Sequence, residues 1–188
     1  MAGAEQGAIL ARFARGSVRA ALGGPPPHVP SGEWTRERAA TFVSLHWHDG
    51  RLQGCIGSLE PRRTIVEDVA ANALAAAFDD PRAAGLAPAD VDRLDVEVSI
   101  LSPLERVSCA DEAGACVVLR PHVDGVVLRW RDSRATFLPQ VWAHVPDPRD
   151  FLLELKRKAG LADDLWDDEV QLFRYVVSVG CDRAARGE

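Results

Sequence analysis

The chain is poor in lysine. Of its 22 basic residues only Lys156 and Lys158 are lysine. The rest are arginine, which beside the abundant alanine reads as a GC-rich coding bias rather than a functional device. Basic charge is itself in deficit, with 28 acidic residues and a net charge of −6. A protein that lives on phosphate contacts shows a basic face. None is visible, so nucleic acid is not an expected partner. No apolar run approaches the ~20 residues needed to span a bilayer, and the N-terminus has no basic-then-apolar leader, so no membrane association is expected. The four cysteines, Cys55, Cys109, Cys116 and Cys181, form no CxxC pair and no small-domain disulfide framework. A cytoplasmic protein with reduced thiols is the default. Internal repeats, a Walker loop and a dinucleotide fingerprint are all absent. What is present is ordinary globular composition, 47% hydrophobic and 27% charged over 188 residues, enough for one domain or two tightly joined subdomains.

Periodicity predicts a helix over residues 5–22, with Ile9, Leu10, Phe13, Ala14 and Val18 at helical spacing. Gly23-Gly24 ends it, and "GGPPPHVPSG" reads as a surface loop of polyproline character. Residues 42–48 and 51–57 predict a β-hairpin joined by Asp49-Gly50, a favoured two-residue turn pair. In that register Ser44 faces Cys55, His46 faces Gln53 and Trp47 faces Leu52. Ser44, His46, His48, Gln53 and Cys55 then share a polar face, with His46 diagonal to Cys55 at roughly 7–8 Å or less. Thr64 and Glu67 have capping-box spacing ahead of an apolar stripe from Ile65 to Ala77, and Pro81 stops that helix. Pro88 starts a short helical turn, and residues 95–101 alternate as a half-buried strand. Residues 102–116 read as irregular. Strands are expected over 117–119, 125–130 and 135–138, then a helix capped by Asp147 with Pro148 at its first position and closed by Gly160. Residues 170–179 read as one long strand, and the tail after Cys181 as polar and frayed. Helices and hairpins mix without βαβ alternation, which predicts an α+β fold with a largely antiparallel sheet and flanking helices.

"LQGCIGSLEP", "AAFDDPR", "LDVEVSILSPLE", "DGVVLRW", "ATFLPQVW" and "FLLELKRKAGL…W" occur in that order. Together they resemble the AMMECR-one domain family, whose bacterial and archaeal members are often called AmmeMemoRadiSam system protein A. The resemblance runs from about Thr41 to Tyr175 and treats residues 1–188 as a single domain of this type. It implies an α+β fold in two unequal subdomains, with the Leu-Arg-Gly-Cys-Ile-Gly hallmark near the groove between them. Here the hallmark is Leu52, Gln53, Gly54, Cys55, Ile56 and Gly57, with Gln53 in place of the arginine. If that arginine binds an anion or pairs with a carboxylate, this chain has lost the contact. The family's genes commonly accompany a Memo-like protein and a radical-SAM protein. This implies a shared pathway and those two partners, but no reaction and no cofactor.

The candidate site is therefore a groove lined by Gln53, Gly54, Cys55, Ile56, Gly57 and Gln140, binding a small molecule or a partner's peptide. In a sharper version Cys55 is a nucleophile or redox thiol. The glycines admit a substrate to the backbone, N–H groups of Ile56 and Gly57 hold a developing anion, and His46 moves the proton. Against it stands a buried, inert Cys55 with glycines that serve packing. His46 and His48 form an H-x-H pair that suits a metal only if a third ligand converges; two solvated polar residues are the simpler account, and no metal is assigned. Cys109 and Cys116 read as packing thiols. Gln140 either reads a substrate's polar edge or satisfies its loop. Glu60 and Glu97 are further carboxylates for the groove, Glu97 on the outward face of its strand. Asp79, Asp80 and Arg82 read as a helix-end charge cluster, and Trp142 and Trp166 as packing anchors.

Overall fold

A computed structural model describes residues 4–183. The chain divides into two compact units, Met1–Leu101 with Ser178–Glu188, and Ser102–Val177. The expected frayed tail lies largely beyond Arg183, outside the described residues. The α+β class and antiparallel pairing are as expected, with the strands divided between two four-stranded sheets, one ordered Leu52–Gly57, Ala40–Trp47, Leu94–Leu101, Val177–Asp182 and the other Glu105–Arg106, Gln171–Tyr175, Gly125–Trp130, Ser133–Phe137.

In the first unit, α1 (Ala4–Ala21) and α2 (Ile65–Phe78) cover one face of a sheet made by β1 (Ala40–Trp47), β2 (Leu52–Gly57), β3 (Leu94–Leu101) and β8 (Val177–Asp182). The predicted capping box is present: the Thr64 hydroxyl accepts from Glu67 N–H, and the Glu67 side chain accepts from Thr64 N–H. Val43, Leu45, Val96 and Val98 alternate toward the helices and are buried with Leu10, Val18, Val69 and Ala73.

The hairpin turn differs from the expected two-residue form. Trp47 N–H donates to Arg51 C=O at 2.8 Å and Gly50 N–H to Trp47 C=O at 2.8 Å, so His48, Asp49 and Gly50 make a three-residue loop. Only Gly50 takes a positive φ, +84°. A two-residue turn would have required one at Asp49 as well. The pairing starts one residue out of the expected register, with His46 opposite Leu52, and recovers through a β-bulge that leaves Gln53 unpaired. From Gly54 onward the register is the expected one, Leu45 opposite Gly54 and Ser44 opposite Cys55.

The second unit contains β4 (Glu105–Arg106), α3 (Glu112–Val118), β5 (Gly125–Trp130), β6 (Ser133–Phe137), α4 (Pro148–Lys158) and β7 (Gln171–Tyr175). Asp147 caps α4 with Pro148 in its first turn, and Gly160, at φ +73°, follows its end. Two expectations fail here. Residues 117–119 do not form a strand: Asp111 accepts from Gly114 N–H and caps a short helix through Val118, and that cap with the burial of Ala115 outweighs the β-propensity of Val117 and Val118. The expected long strand 170–179 is two strands, broken at Val176. There Val176 N–H donates to Ser102 Oγ at 3.0 Å, and its C=O accepts from Ser102 N–H at 2.9 Å. Among the described residues, no helix is long and apolar enough to cross a membrane.

Candidate functional site

The hallmark stretch is an edge strand, and its alternation sends neighbouring residues to opposite faces. Gly54 points at α2. A Cβ there would lie 2.0 Å from the Ala76 carbonyl oxygen, so the absence of a side chain lets helix and strand backbones touch. Ile56, opposite Val43, packs against the same core. Gln53, in the bulge, is also turned inward, and only 1% of it is exposed. Its Oε1 accepts from Trp47 Nε1 at 3.0 Å and its Nε2 donates to Ala84 C=O at 2.6 Å. The expected place of Gln53 on the polar face is thus corrected: the bulge takes it off that face, and its amide is spent joining the hairpin to the loop after α2.

The outer edge of the strand is closed by Asp80. The Cys55 N–H donates to Asp80 Oδ2 at 2.8 Å. Arg82 donates to both oxygens through Nε at 2.9 Å and Nη2 at 2.7 Å. The Arg82 guanidinium first, and then the Cys55 amide, hold the carboxyl well below the usual carboxylate range against the opposing effect of burial. A carboxylate on an edge amide also blocks strand addition by another chain. The charge cluster expected at this helix end is therefore an anchor for the hallmark. The short Asp-x-Arg spacing was its only trace in the sequence. A second anchor follows the strand. Asp68, buried, accepts from Ser58 Oγ at 2.8 Å, Thr41 Oγ1 at 2.7 Å and Thr41 N–H at 2.9 Å.

The other face of the sheet carries the thiol. Ser44 lies opposite Cys55 on one side and opposite Glu97 on the other. The Ser44 hydroxyl donates to Cys55 Sγ at 3.1 Å. Cys181 on β8 stands 3.9 Å from Glu97 Oε2, and burial first, then Glu97, push its thiol pKa up. Cys55, Ser44, Glu97 and Cys181 thus form one polar row across four strands, beside the pair His46 and Asp95. The first three are half-buried and Cys181 is exposed. Cys181 lies on β8 beyond Val179, where the sequence pattern ends the expected strand, and so falls outside the expected site. His46 shares the face, but among the described residues it makes no hydrogen bond to Cys55. Gly57 is also on this face, under the Phe42 ring, which a Cβ would meet at 2.1 Å.

His48 is exposed in the turn, and no group of three or more His, Cys, Asp or Glu side chains among the described residues is placed to hold a metal. Gln140 belongs to the second unit, exposed in the 3₁₀ turn Pro139–Ala143. Cys109 and Cys116 are half-buried against that unit's core, and burial raises both thiol pKa values. Trp142 is fully buried, stacked on Phe151 at 3.6 Å between ring centroids, with Nε1 donating to Asp124 C=O.

A family model described as AMMECR1 matches residues 11–179. A protein of Methanothermobacter thermautotrophicus is 32% identical over 184 residues, covering 93% of this chain and 93% of its own length. Protein MJ0810 of Methanocaldococcus jannaschii is 31% identical over 188 residues, covering 98% and 94%. The crystal structure of the uncharacterized protein PH0010 from Pyrococcus horikoshii superposes with a TM-score of 0.83 at 28% identity, over 94% of this chain and 91% of that one.

Proposed function

The chain belongs to the AMMECR1 family, and we propose that it is a recognition protein whose ligand sits on the thiol-bearing face of the first sheet. The ligand is a small molecule or a partner's peptide, and the family resemblance points to a pathway shared with Memo-like and radical-SAM proteins. The observation that carries this reading is the row Cys55, Ser44, Glu97 and Cys181, on the sheet face opposite α1 and α2. Hydroxyl, thiol and carboxylate groups there lie on four neighbouring strands, and the edge strand that carries Cys55 is held by Asp80, Gln53 and Ser58. Such support fixes the row before a ligand arrives, which lowers the ordering cost of binding.

The test is a titration of the purified Memo-like and radical-SAM proteins into this protein by calorimetry. A Glu97→Arg variant inverts the charge at the centre of the row and is expected to weaken binding by at least about tenfold. Unchanged affinity in a folded variant would remove the reading. A second reading, in which Cys55 reacts, rests on its half-buried side chain, whose sulfur accepts from the Ser44 hydroxyl. In a Cys181→Ser background, mass-mapped alkylation by iodoacetamide at neutral pH separates the two. Rapid modification of Cys55 ahead of Cys109 and Cys116 supports chemistry, whereas labelling only after denaturation leaves recognition alone.

A further inference from the structure

The proline-rich loop after α1 has no part in the hallmark face, yet it builds a cavity of its own. Gly24 N–H donates to Arg19 C=O at 3.0 Å and turns the chain back along the helix. At Gly16 the return is so close that a Cβ would meet the Pro27 side chain at 2.9 Å. Three consecutive prolines, Pro25 to Pro27, fix the φ angles of this return, so its wall is formed in advance of any ligand. Beyond Pro27 the loop stands away from α1 and with it forms a half-open cavity of about 440 Å³, within the size range of small-molecule sites.

The lining is selective. Ile9, Arg12 and Phe13 come from one face of α1, at i, i+3 and i+4. His28, Pro30, Ser31 and Trp34 come from the loop and the 3₁₀ turn that follows it. In a chain with 28 acidic residues, none lines this cavity. Arg12, His28, Ser31 and Trp34 all carry N–H or O–H donors. Among the described residues, none of those four side chains donates a hydrogen bond to a protein acceptor. Arg12 differs in this from Arg15 and Arg19 on the same helix, whose guanidiniums are paired with Asp182 and Asp92. Phe13 and Pro30 are buried and, with Ile9 and the half-buried Trp34 ring, supply an apolar floor.

Donors without carboxylates, over an aromatic and aliphatic floor, select an amphiphilic anion. We propose that this cavity binds a small aromatic carboxylate or a similar aryl anion. Arg12 and His28 hold the acid group, Ser31 and the Trp34 indole N–H complete its hydrogen bonds, and the ring lies against Trp34 and Phe13. An Arg guanidinium matches a carboxylate in two-point geometry, and an aromatic wall favours a flat body over a branched one.

The probe is 1-naphthoate, with the neutral 1-naphthalenemethanol as its uncharged counterpart. Binding is read from the five indole N–H signals of the protein in a nitrogen–proton correlation spectrum, and from calorimetry. The Trp34 signal, assigned by its loss in Trp34→Phe, is expected to shift on adding naphthoate while the other indoles stay in place. Arg12 is exposed, so Arg12→Gln leaves the fold intact. It is expected to weaken naphthoate roughly tenfold and the alcohol hardly at all, with partial recovery in Arg12→Lys. Three results would each overturn the proposal: no Trp34 shift at millimolar naphthoate, equal binding of acid and alcohol, or equal naphthoate affinity in the wild-type and Arg12→Gln proteins.

Discussion

A methyl group added at Gly54 and one added at Gly57 meet different obstacles. At Gly54 it strikes the Ala76 carbonyl and, at 3.0 Å, the Asp80 Cβ. The first of these belongs to the backbone of α2 and can retreat only if the helix shifts. At Gly57 it strikes the ring of Phe42, a half-buried side chain that can swing toward solvent. Gly54→Ala is therefore expected to cost about 3 kcal/mol or more, and Gly57→Ala only about 1 kcal/mol. Urea denaturation of the two variants checks the order. Equal costs would mean that the α2–β2 approach is looser than described. The two glycines around Cys55 thus have packing reasons of their own, and the proposed recognition rests on the Cys55 side chain and its row rather than on them.

Between elements, the loop after α2 acts on β2 through Asp80. In the folded protein the carboxyl binds a proton more weakly than in the unfolded chain, because Arg82 and the Cys55 amide favour its charged form. The stabilisation is therefore complete above the unfolded carboxylate pKa of ~3.9 and is lost as pH falls below it. Asp80→Asn is expected to cost about 2–3 kcal/mol at neutral pH and to flatten the acid limb of the stability profile below about pH 4. Urea midpoints measured across that range test it, and parallel acid limbs in the two proteins would refute the linkage. This contact also shows how far the sequence could be read. Helix ends and caps were legible because their signals are local: Thr64 with Glu67, Asp147 with Pro148, Gly160. The pairing of Ser44 with Cys55 was legible because alternation and an Asp-Gly turn limit the register. The Gln53 bulge was not, since a three-residue turn and a bulge together restore the pairing that a two-residue turn alone would give. Asp80 and Cys181 were not legible as parts of the site either. Each reaches it through contacts between residues 25 and 84 positions apart in the chain, which no spacing rule encodes.

At the scale of the whole molecule, the first unit is interrupted between β3 and β8 by all of Ser102–Val177. The inserted unit begins and ends at one place, since Ser102 and Val176 exchange two hydrogen bonds. Each unit has its own core, one around Leu10, Leu45 and Val98, the other around Leu128, Trp142 and Phe151. An insert with adjacent ends and a separate core is expected to be removable. Joining Leu101 to Ser178 through a linker of about three residues, which spans the ~5 Å between neighbouring strands with slack, should leave the first unit folded. The excised Ser102–Val177 carries its own reporter, because Tyr175 is the only tyrosine of the chain. Burial pushes its hydroxyl up to about 12, with Thr136 pulling partly the other way, and the hydroxyl donates to the Phe137 carbonyl at 3.2 Å. A phenolate titration of the excised unit near that raised value means that its core forms alone. A titration at the ordinary ~10 means that it needs the rest of the chain, and the division into two self-sufficient units would then fail.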